Sequence, residues 1–232
     1  MTNRRRLILL NLAILGSAAC TGLDTGNADL GKVELGLAVL DEDPVDQNLN
    51  VFTLTRVEAR VRDIELILPD GVSCDGVAGC ESNKIRVIGP WTIDLLTGVG
   101  TPPLPTLEVP ATTYRRIDVR FEPDDADVTL SARGTVPFRG AATPFALDLK
   151  FDETARFESA TGVVVAADAL RSVVMRLDPR VWLSDLPLVA CADDGDLPIV
   201  DGTIVLADGN GSCSDVENVI KDAIKESGRI DP

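Results

Sequence analysis

Five cysteines are the side chains of this sequence with the most specific chemistry. They are Cys20, Cys74, Cys80, Cys191 and Cys213, and the chain of 232 residues contains no histidine. The lack of histidine excludes Ser-His-Asp and Cys-His catalytic arrangements and histidine-ligated zinc sites. A metal site made of cysteines alone is disfavoured because no two of them have Cys-x-x-Cys spacing. The cysteines therefore indicate two disulfides and one cysteine with another use.

Local disulfides are the favoured choice among the three pairings that four cysteines allow. Cys74 and Cys80 flank a turn of small residues that can bring the two thiols together. Cys191 and Cys213 flank an acidic segment, and closing this longer loop would contribute about 3 kcal/mol through chain entropy. The predicted pairs are thus Cys74–Cys80 and Cys191–Cys213, formed in an oxidising compartment.

The first nineteen residues have the three parts of a secretory signal. Basic residues at positions 4–6 precede an apolar run over Leu7–Leu15, which is too short to span a bilayer comfortably. The Ser-Ala-Ala-Cys sequence that ends at Cys20 resembles the lipobox of bacterial lipoproteins, although Ser17 stands where an aliphatic residue is usual. We predict a signal peptide over residues 1–19 and a lipid on the thiol of Cys20. The alternative is cleavage by ordinary signal peptidase.

The chain is strongly acidic, with a net charge of −15. The predicted signal peptide holds three arginines and no acidic residue, so the mature chain would carry −18. Such a surface disfavours binding to nucleic acid and electrostatic docking on anionic lipid. Residues 20–31 are mostly small and polar and are predicted to be a tether between the lipid and the folded domain. The expected partners are a membrane, reached through the lipid, and a protein or glycan of unknown identity.

Clusters of acidic residues offer a second chemistry, since calcium prefers carboxylate and carbonyl oxygens. None has the spacing of an EF-hand, and solvated turns are the favoured explanation for them. They occupy residues 41–46, 124–127, 193–196 and 208–210. The segment between Cys191 and Cys213 is the preferred calcium candidate because a disulfide would preorganise it. Its ligands would be Asp193, Asp194 and Asp196.

A hydrolase with paired carboxylates is formally compatible with so many acidic residues. These residues are expected in turns or on alternating strand faces, however, and the aromatic residues that line sugar clefts make up 4% of the chain. The sequence therefore predicts a protein that is not an enzyme and needs no cofactor.

Strands are the elements that would position these residues. Apolar and polar residues alternate over Lys32–Leu40 and Thr112–Phe121, which is the period of a strand with one buried face. A long strand or a pair of strands is expected over Val51–Leu68, with a bulge or a shift in register at Asp63, where the alternation changes. Such segments recur about every ten to fifteen residues. The pattern predicts a mainly β domain over residues 32–190, an antiparallel β-sandwich of Ig-like or transthyretin-like type.

Glycine and proline divide the middle of the predicted sandwich. Gly89-Pro90 is expected to separate the strands Ile85–Ile88 and Trp91–Leu96, and residues 97–105 are predicted to be a loop. The remaining predicted strands are Asp127–Val136, Phe145–Phe151, Gly162–Ala166, Leu170–Leu177 and Ile199–Leu206.

The C-terminal residues 191–232 are predicted to be a disulfide-bounded acidic hairpin followed by an amphipathic helix packed on the sandwich. A helical period is found only after residue 210. Ser214 and Glu217 have the spacing of a capping box, and one apolar stripe follows them. The helix is expected over Ser214–Ser227, with Gly228 as the residue that ends it.

The middle of the chain resembles a known family. The segments Trp91–Leu96 and Leu107–Val119, followed by Leu147–Asp152, are similar to the uncharacterised bacterial lipoprotein domain of the domain-of-unknown-function 4382 type. The family pattern is Asp-Leu-Leu, then a Pro-Ala-Gly-x-Tyr turn, and Thr112 stands here in place of that glycine. The resemblance covers about residues 32–185 and implies an exported, often lipid-anchored β-sandwich with no established catalytic residue.

Tyr114 belongs to the same motif and has a structural interpretation. In many sandwich domains a tyrosine at a corner between strands uses its hydroxyl group to bind the backbone. We expect Tyr114 to be buried in this way rather than to contact a ligand.

These observations predict a lipid-anchored cell-envelope protein with a non-enzymatic structural or interaction role. The expected location is the bacterial envelope, as an outer-membrane lipoprotein, or else the periplasm or the medium, and the expected state is a monomer. Alternatives are a calcium- or carbohydrate-binding module and a pilin- or adhesin-like subunit joined by strand addition.

Overall fold

A computed structural model describes residues 29–123 and 128–231 of the chain. The predicted signal peptide, the lipidation site Cys20 and nearly all of the predicted tether lie outside the described residues, as does the acidic cluster at 124–127. The described part is mainly β, as the sequence predicts. Its two α-helices and two short 3-10 helices all lie C-terminal to residue 178.

The strands and helices follow one another in a single chain of elements. The strands are β1 (Leu30–Val39), β2 (Thr53–Ile67), β3 (Cys80–Glu81), β4 (Lys84–Asp94), β5 (Val99–Thr101), β6 (Thr106–Pro110), β7 (Thr113–Phe121), β8 (Leu130–Phe138), β9 (Ala141–Leu149), β10 (Glu153–Val164), β11 (Leu170–Leu177), β12 (Ile199–Val200), β13 (Thr203–Val205) and β14 (Gly228–Asp231). The helices are α1 (Leu188–Asp194) and α2 (Val216–Glu226), with 3-10 turns at Pro179–Val181 and Gly211–Cys213.

The long strand β2 joins the two halves of a sandwich-like sheet. Along one edge it pairs with β8 through residues 53–59 and with β7 through residues 61–66, while β4 pairs with its other edge. The full order is β12-β13-β9-β8-β2-β7-β10-β14-β11-β1-β6. A strand shared in this way turns the chain from one layer to the other.

The predicted bulge at Asp63 is confirmed. Val61 faces Phe121 of β7, but the next paired residue is Asp63, which faces Arg120, so Arg62 is the extra residue. Asp63 and Ile64 are consequently both buried, which breaks the alternation of β2.

The same bulge explains why β4 is continuous. The sequence predicts two strands separated by Gly89-Pro90, but the structure has one strand, Lys84–Asp94. Gly89 and Pro90 lie between the pairs Asp63↔Ile88 and Val61↔Trp91, opposite the bulge of β2. A proline is tolerated there because the ladder is already interrupted.

The pairing is mostly antiparallel, but the described residues also contain three parallel pairs. These are β1 with β11, β10 with β14 and β9 with β13. The last of the strands, β14, inserts between β10 and β11. The alternation in the sequence cannot distinguish the two directions because both bury every second residue.

Several other boundaries differ from the sequence prediction. Residues 97–105 are not entirely a loop, since β5 forms a hairpin with β4. Of the predicted run Gly162–Ala166, the first three residues are the end of the twelve-residue strand β10, and the last two lie after it. The predicted strand Ile199–Leu206 is a hairpin of β12 and β13 with Asp201 and Gly202 at its turn.

The core contains the apolar faces of the strands together with most of the large side chains. The largest buried side chains are at most 2% exposed; they are Trp182, Tyr114, Phe52, Phe121 and Phe157. Aliphatic residues fill the remaining space, as the low aromatic content predicts.

The C-terminal region corrects the sequence prediction in two ways. A helix, α1, forms at Leu188–Asp194, where no helical period was found. Helix α2 packs against β10 as predicted, but it begins at Val216, with Asp215 as N-cap and without a side-chain capping bond. The predicted capping box of Ser214 and Glu217 is therefore wrong. The Glu217 amide instead donates to Asp208 Oδ1 at 2.9 Å.

Gly228 is not the left-handed stop that the sequence suggests. The helix ends at Glu226, its C-cap Ser227 has right-handed backbone angles, and Gly228 is the first residue of β14. A Cβ atom on Gly228 would lie 2.6 Å from the Arg156 carbonyl oxygen. The glycine is required because β14 approaches the backbone of β10 closely.

Candidate functional site

Both predicted disulfides are present. Cys74 and Cys80 are joined across the small turn, with their Cα atoms 5.6 Å apart, and Cys80 starts β3. Within the turn, the Val77 amide donates to the Cys74 carbonyl oxygen at 2.9 Å. A Cβ atom on Gly79 would lie 2.2 Å from the Arg86 carbonyl oxygen, so this glycine permits the loop to lie against β4.

The second disulfide links helix α1 to the 3-10 turn before α2. Cys191 and Cys213 have Cα atoms 6.3 Å apart and are separated by 22 residues. Both cysteines are buried, and the hairpin of β12 and β13 lies in the loop that they close. The segment is thus a compact unit attached to the sandwich, which agrees with the predicted disulfide-bounded hairpin.

The three candidate calcium ligands do not form a cation site. Asp193 and Asp194 lie in the last turn of α1, and Asp196 follows Gly195, which has a left-handed backbone. The Asp193 carboxylate accepts a hydrogen bond from Arg139 Nε at 2.8 Å. In residues 29–123 and 128–231, no group of three or more cysteine, aspartate or glutamate side chains has an arrangement that holds a metal ion.

Asp46, placed by the sequence in an exposed acidic cluster, is instead a buried structural residue at 1% exposure. Its Oδ1 atom accepts hydrogen bonds from the amides of Asn48 and Asn50, both at 2.9 Å. The side-chain nitrogen of Asn50 donates to both carboxylate oxygens at 3.0 Å. The Val189 amide, in the first turn of α1, donates to Oδ2 at 3.2 Å. A single carboxylate therefore orders the loop after β1 and fixes α1 to it.

Tyr114 is the corner tyrosine that the sequence predicts. Its side chain is buried, and its hydroxyl group donates to the Pro110 carbonyl oxygen at 3.0 Å. Burial raises the pKa of the phenol well above its ordinary value because the tyrosinate ion would lose its hydration. The residue stabilises the turn between β6 and β7.

A row of ion pairs covers the outer surface of β4, β2, β7 and β10. Asp63, whose side chain is 3% exposed, accepts from Arg86 Nη2 at 2.6 Å. Hydrogen bonding to Asp63 raises the pKa of Arg86. On the same surface, Arg120 binds both oxygens of Asp152 and lowers the pKa of this carboxyl group. A shallow recess of about 210 Å³ lies between these pairs.

A charged groove of about 290 Å³ lies on the solvent face of β2, β4, β8 and β9. Arg133 Nη2 donates to both oxygens of Asp148, at 2.8 and 2.7 Å, and Arg56 donates to Glu58 at 2.7 Å. These pairs balance opposite charges within the groove. The Arg133–Asp148 pair joins β8 to β9, whereas the Arg56–Glu58 pair lies within β2. A polar ligand would have to displace both pairs.

Sequence reasoning missed a buried polar contact that closes the C-terminal unit. Trp182 Nε1 donates to Ser227 Oγ at 3.2 Å, and this hydroxyl donates in turn to the Ile224 carbonyl oxygen at 2.8 Å. The contact joins the 3-10 turn after β11 to the end of α2. The contact cannot be predicted from the residues around either partner, because the two are 45 residues apart in the sequence.

Comparisons with known proteins place few constraints on this chain. Protein-family models give no match, and curated proteins give none either. Among solved structures, the chain is similar to MbnP from Methylosinus trichosporium with a TM-score of 0.33 and 10% sequence identity. This similarity covers 79% of the present chain and 81% of the other.

Within the part of the chain that the structure describes, no helix has the length and apolar character needed to cross a membrane.

Proposed function

We propose that this protein is a lipid-anchored cell-envelope protein with a non-enzymatic structural or interaction role. The observation that carries the proposal is the cysteine pairing. Two disulfides use Cys74, Cys80, Cys191 and Cys213, so Cys20 has no cysteine partner within the chain. A lipid on its thiol accounts for the remaining cysteine and for the lipobox-like sequence before it.

The position of the first strand supports the same proposal. β1 begins at Leu30, ten residues after Cys20, and these residues provide a short connection between a lipid and the folded domain. Two disulfides in one chain are typical of proteins that fold in an oxidising compartment. An outer-membrane location and a monomeric state complete the proposal, and the resemblance to the lipoprotein family stays a prediction.

Intact mass spectrometry of the native protein, extracted from membranes, tests this proposal. We expect a mature chain that starts at Cys20 and carries the mass of acyl groups, together with incorporation of labelled palmitate. Cys20→Ser should remove both signals. The matched control, Cys74→Ser with Cys80→Ser, also removes cysteines but should stay acylated. A mature chain that starts at Cys20 without added mass would contradict the anchor.

A further inference from the structure

An exposed apolar surface lies between β10 and β11. It is formed by Val164–Leu170, which we call the apolar tip. Val164 is 64% exposed and Leu170 is 62% exposed, and the three alanines between them are exposed as well. Isolated exposed apolar residues are ordinary, but a run of this kind is typical of a contact surface.

The backbone of the apolar tip is held in place. The amide of the buried residue Val165 donates to the Thr112 carbonyl oxygen at 2.8 Å, and the Ala169 amide donates to the Ala166 carbonyl oxygen at 3.3 Å. A Cβ atom on Gly31 would lie 2.4 Å from the Ala166 carbonyl oxygen, so β1 lies directly against the tip. The apolar side chains are therefore displayed from an ordered turn.

The apolar tip lies where the chain enters the fold. The Asp168 amide donates to the Leu30 carbonyl oxygen at 2.8 Å, and the Lys32 amide donates to the Ala169 carbonyl oxygen at 2.8 Å. β1 and β11 run parallel from this end, with Lys32 facing Leu170. The first residues of the domain and the apolar tip thus form one end of the molecule.

The distance to Cys20 restricts how far this end can lie from a lipid on that residue. Residues 20–28 can span at most about 30 Å when fully extended. β1 itself is about 30 Å long, since its ten residues rise about 3.3 Å each. The tether therefore holds the end that carries the apolar tip within about 30 Å of the lipid, while the loop after β1, which carries Leu49, lies about one strand length farther from the point of attachment.

Charge distinguishes the apolar tip from the rest of the surface. The chain carries a net charge of −15, but the tip contains one acidic residue, Asp168, with Arg171 directly after it. Arg171 balances the charge of Asp168, so the net charge of residues 164–171 is zero. Repulsion from anionic lipid is thus weaker here than for a surface with the average charge of the chain. Tethering also raises the local concentration of lipid around the tip, so that a small apolar contact is sufficient for docking.

We infer that the apolar tip docks on the surface of the bilayer that holds the acyl chain of Cys20, with Val164 and Leu170 inserted among the lipid headgroups. This inference rests on the proposed lipid anchor. Docking would fix the orientation of the sandwich, with the loop after β1 and its acidic residues directed away from the membrane.

Tryptophan fluorescence tests the inference with the full acylated protein. Val164→Trp and Leu170→Trp are compared, in separate variants, with Leu49→Trp, whose position is 79% exposed at the far end. Each protein is reconstituted into vesicles of phosphatidylcholine and phosphatidylglycerol, with and without brominated acyl chains. Both native tryptophans are buried and provide a constant background. We expect strong quenching of the tryptophans at 164 and 170 and little change at 49.

The outcomes separate docking from anchoring. A protein that floats with the vesicles but shows equal quenching at 164, 170 and 49 keeps the anchor and overturns the docking. A protein that does not float with the vesicles overturns the anchor itself. Concentration-dependent dimers that protect the apolar tip would assign it to a second copy and also overturn the inference.

Hydrogen exchange of the unaltered protein provides a test without substitutions in the tip. Peptides that cover residues 164–172 should exchange more slowly in the vesicle-bound protein than in Cys20→Ser, while peptides from the loop after β1 should be unchanged. Equal exchange in the two proteins would contradict docking.

Discussion

The carboxylate of Asp46 accepts a hydrogen bond from the Val189 amide, 143 residues later in the chain. The contact connects the loop after β1 to the start of α1, and the Gln47 amide adds a bond to the Leu186 carbonyl oxygen at 2.9 Å. Helix α1 has seven residues, and its N-cap, Pro187, makes no side-chain capping bond. A distant aspartate therefore supplies the acceptor that the helix lacks.

Asp46→Ala should lower the free energy of unfolding by about 3 kcal/mol, since several hydrogen bonds to one buried carboxylate would be lost at once. Urea denaturation measures the change. Asp41→Ala, an exposed residue of the same loop, is the matched control and should have almost no effect. Equal midpoints for the two variants would contradict the role of Asp46.

Tyr114→Phe should cost about 1 to 2 kcal/mol, because the buried Pro110 carbonyl oxygen would lose its donor. Urea denaturation is the measurement. Almost no change in the midpoint would show that the hydroxyl group does not stabilise the corner.

Ionisation of the single tyrosine should be coupled to unfolding at high pH. Burial raises the pKa of Tyr114 in the folded state, so its contribution to stability is fully present below the pKa of the unfolded chain, about 10. This contribution is lost as the pH rises above that value. Absorbance of tyrosinate should therefore appear together with loss of the native circular dichroism. A phenol that titrates near its ordinary pKa in the folded protein would contradict its burial.

Features fixed by local alternation and turn chemistry could be predicted from the sequence. The bulge at Asp63 shifts the period of β2, and the Pro-Ala motif before Tyr114 indicates a corner. Both appear in the structure where they are expected. The disulfide pairs follow in the same way from the preference for pairing cysteines that are close in the sequence.

Features that depend on distant partners could not be predicted. Helix α1 needs the carboxylate of Asp46, and α2 is capped by Asp208 rather than by the nearby Ser214. Strand β10 has few apolar residues, and its register shifts between Glu158 and Val163, so its alternation is broken. The sequence of an acidic cluster does not show whether a carboxylate is a buried hydrogen-bond acceptor or part of a solvated turn.

The two disulfides should contribute to stability in the order of their loop lengths. Replacing Cys191 and Cys213 with alanine should cost about 3 kcal/mol, and replacing Cys74 and Cys80 about 2 kcal/mol, because the longer loop restricts the unfolded chain more. Urea denaturation of the two double variants measures both values. A larger loss from the shorter loop would show that native contacts, rather than chain entropy, dominate.

Asp63 and Asp152 provide a matched pair of arginine-bound carboxylates that differ in burial. The side chain of Asp63 is 3% exposed and that of Asp152 is 50% exposed. Asp63→Asn should lower the urea midpoint clearly, because the Arg86 guanidinium would lose the carboxylate that lies nearest to it, and Glu65, at 3.6 Å, would be left as its partner. Asp152→Asn should change it little, since water screens the exposed pair. Equal losses would contradict the importance of burial.

The small contribution of Asp152 should also depend on pH with a defined sign. Hydrogen bonding to Arg120 lowers the pKa of Asp152 in the folded state, so its stabilising effect is present above the carboxyl pKa of the unfolded chain. It is lost as the pH falls through the lowered pKa. The difference in unfolding free energy between the unaltered protein and Asp152→Asn should thus be greatest near neutral pH and disappear in acid. High salt should reduce the same difference because the pair is exposed. A difference that grows as the pH falls would have the wrong sign and would contradict this ion pair.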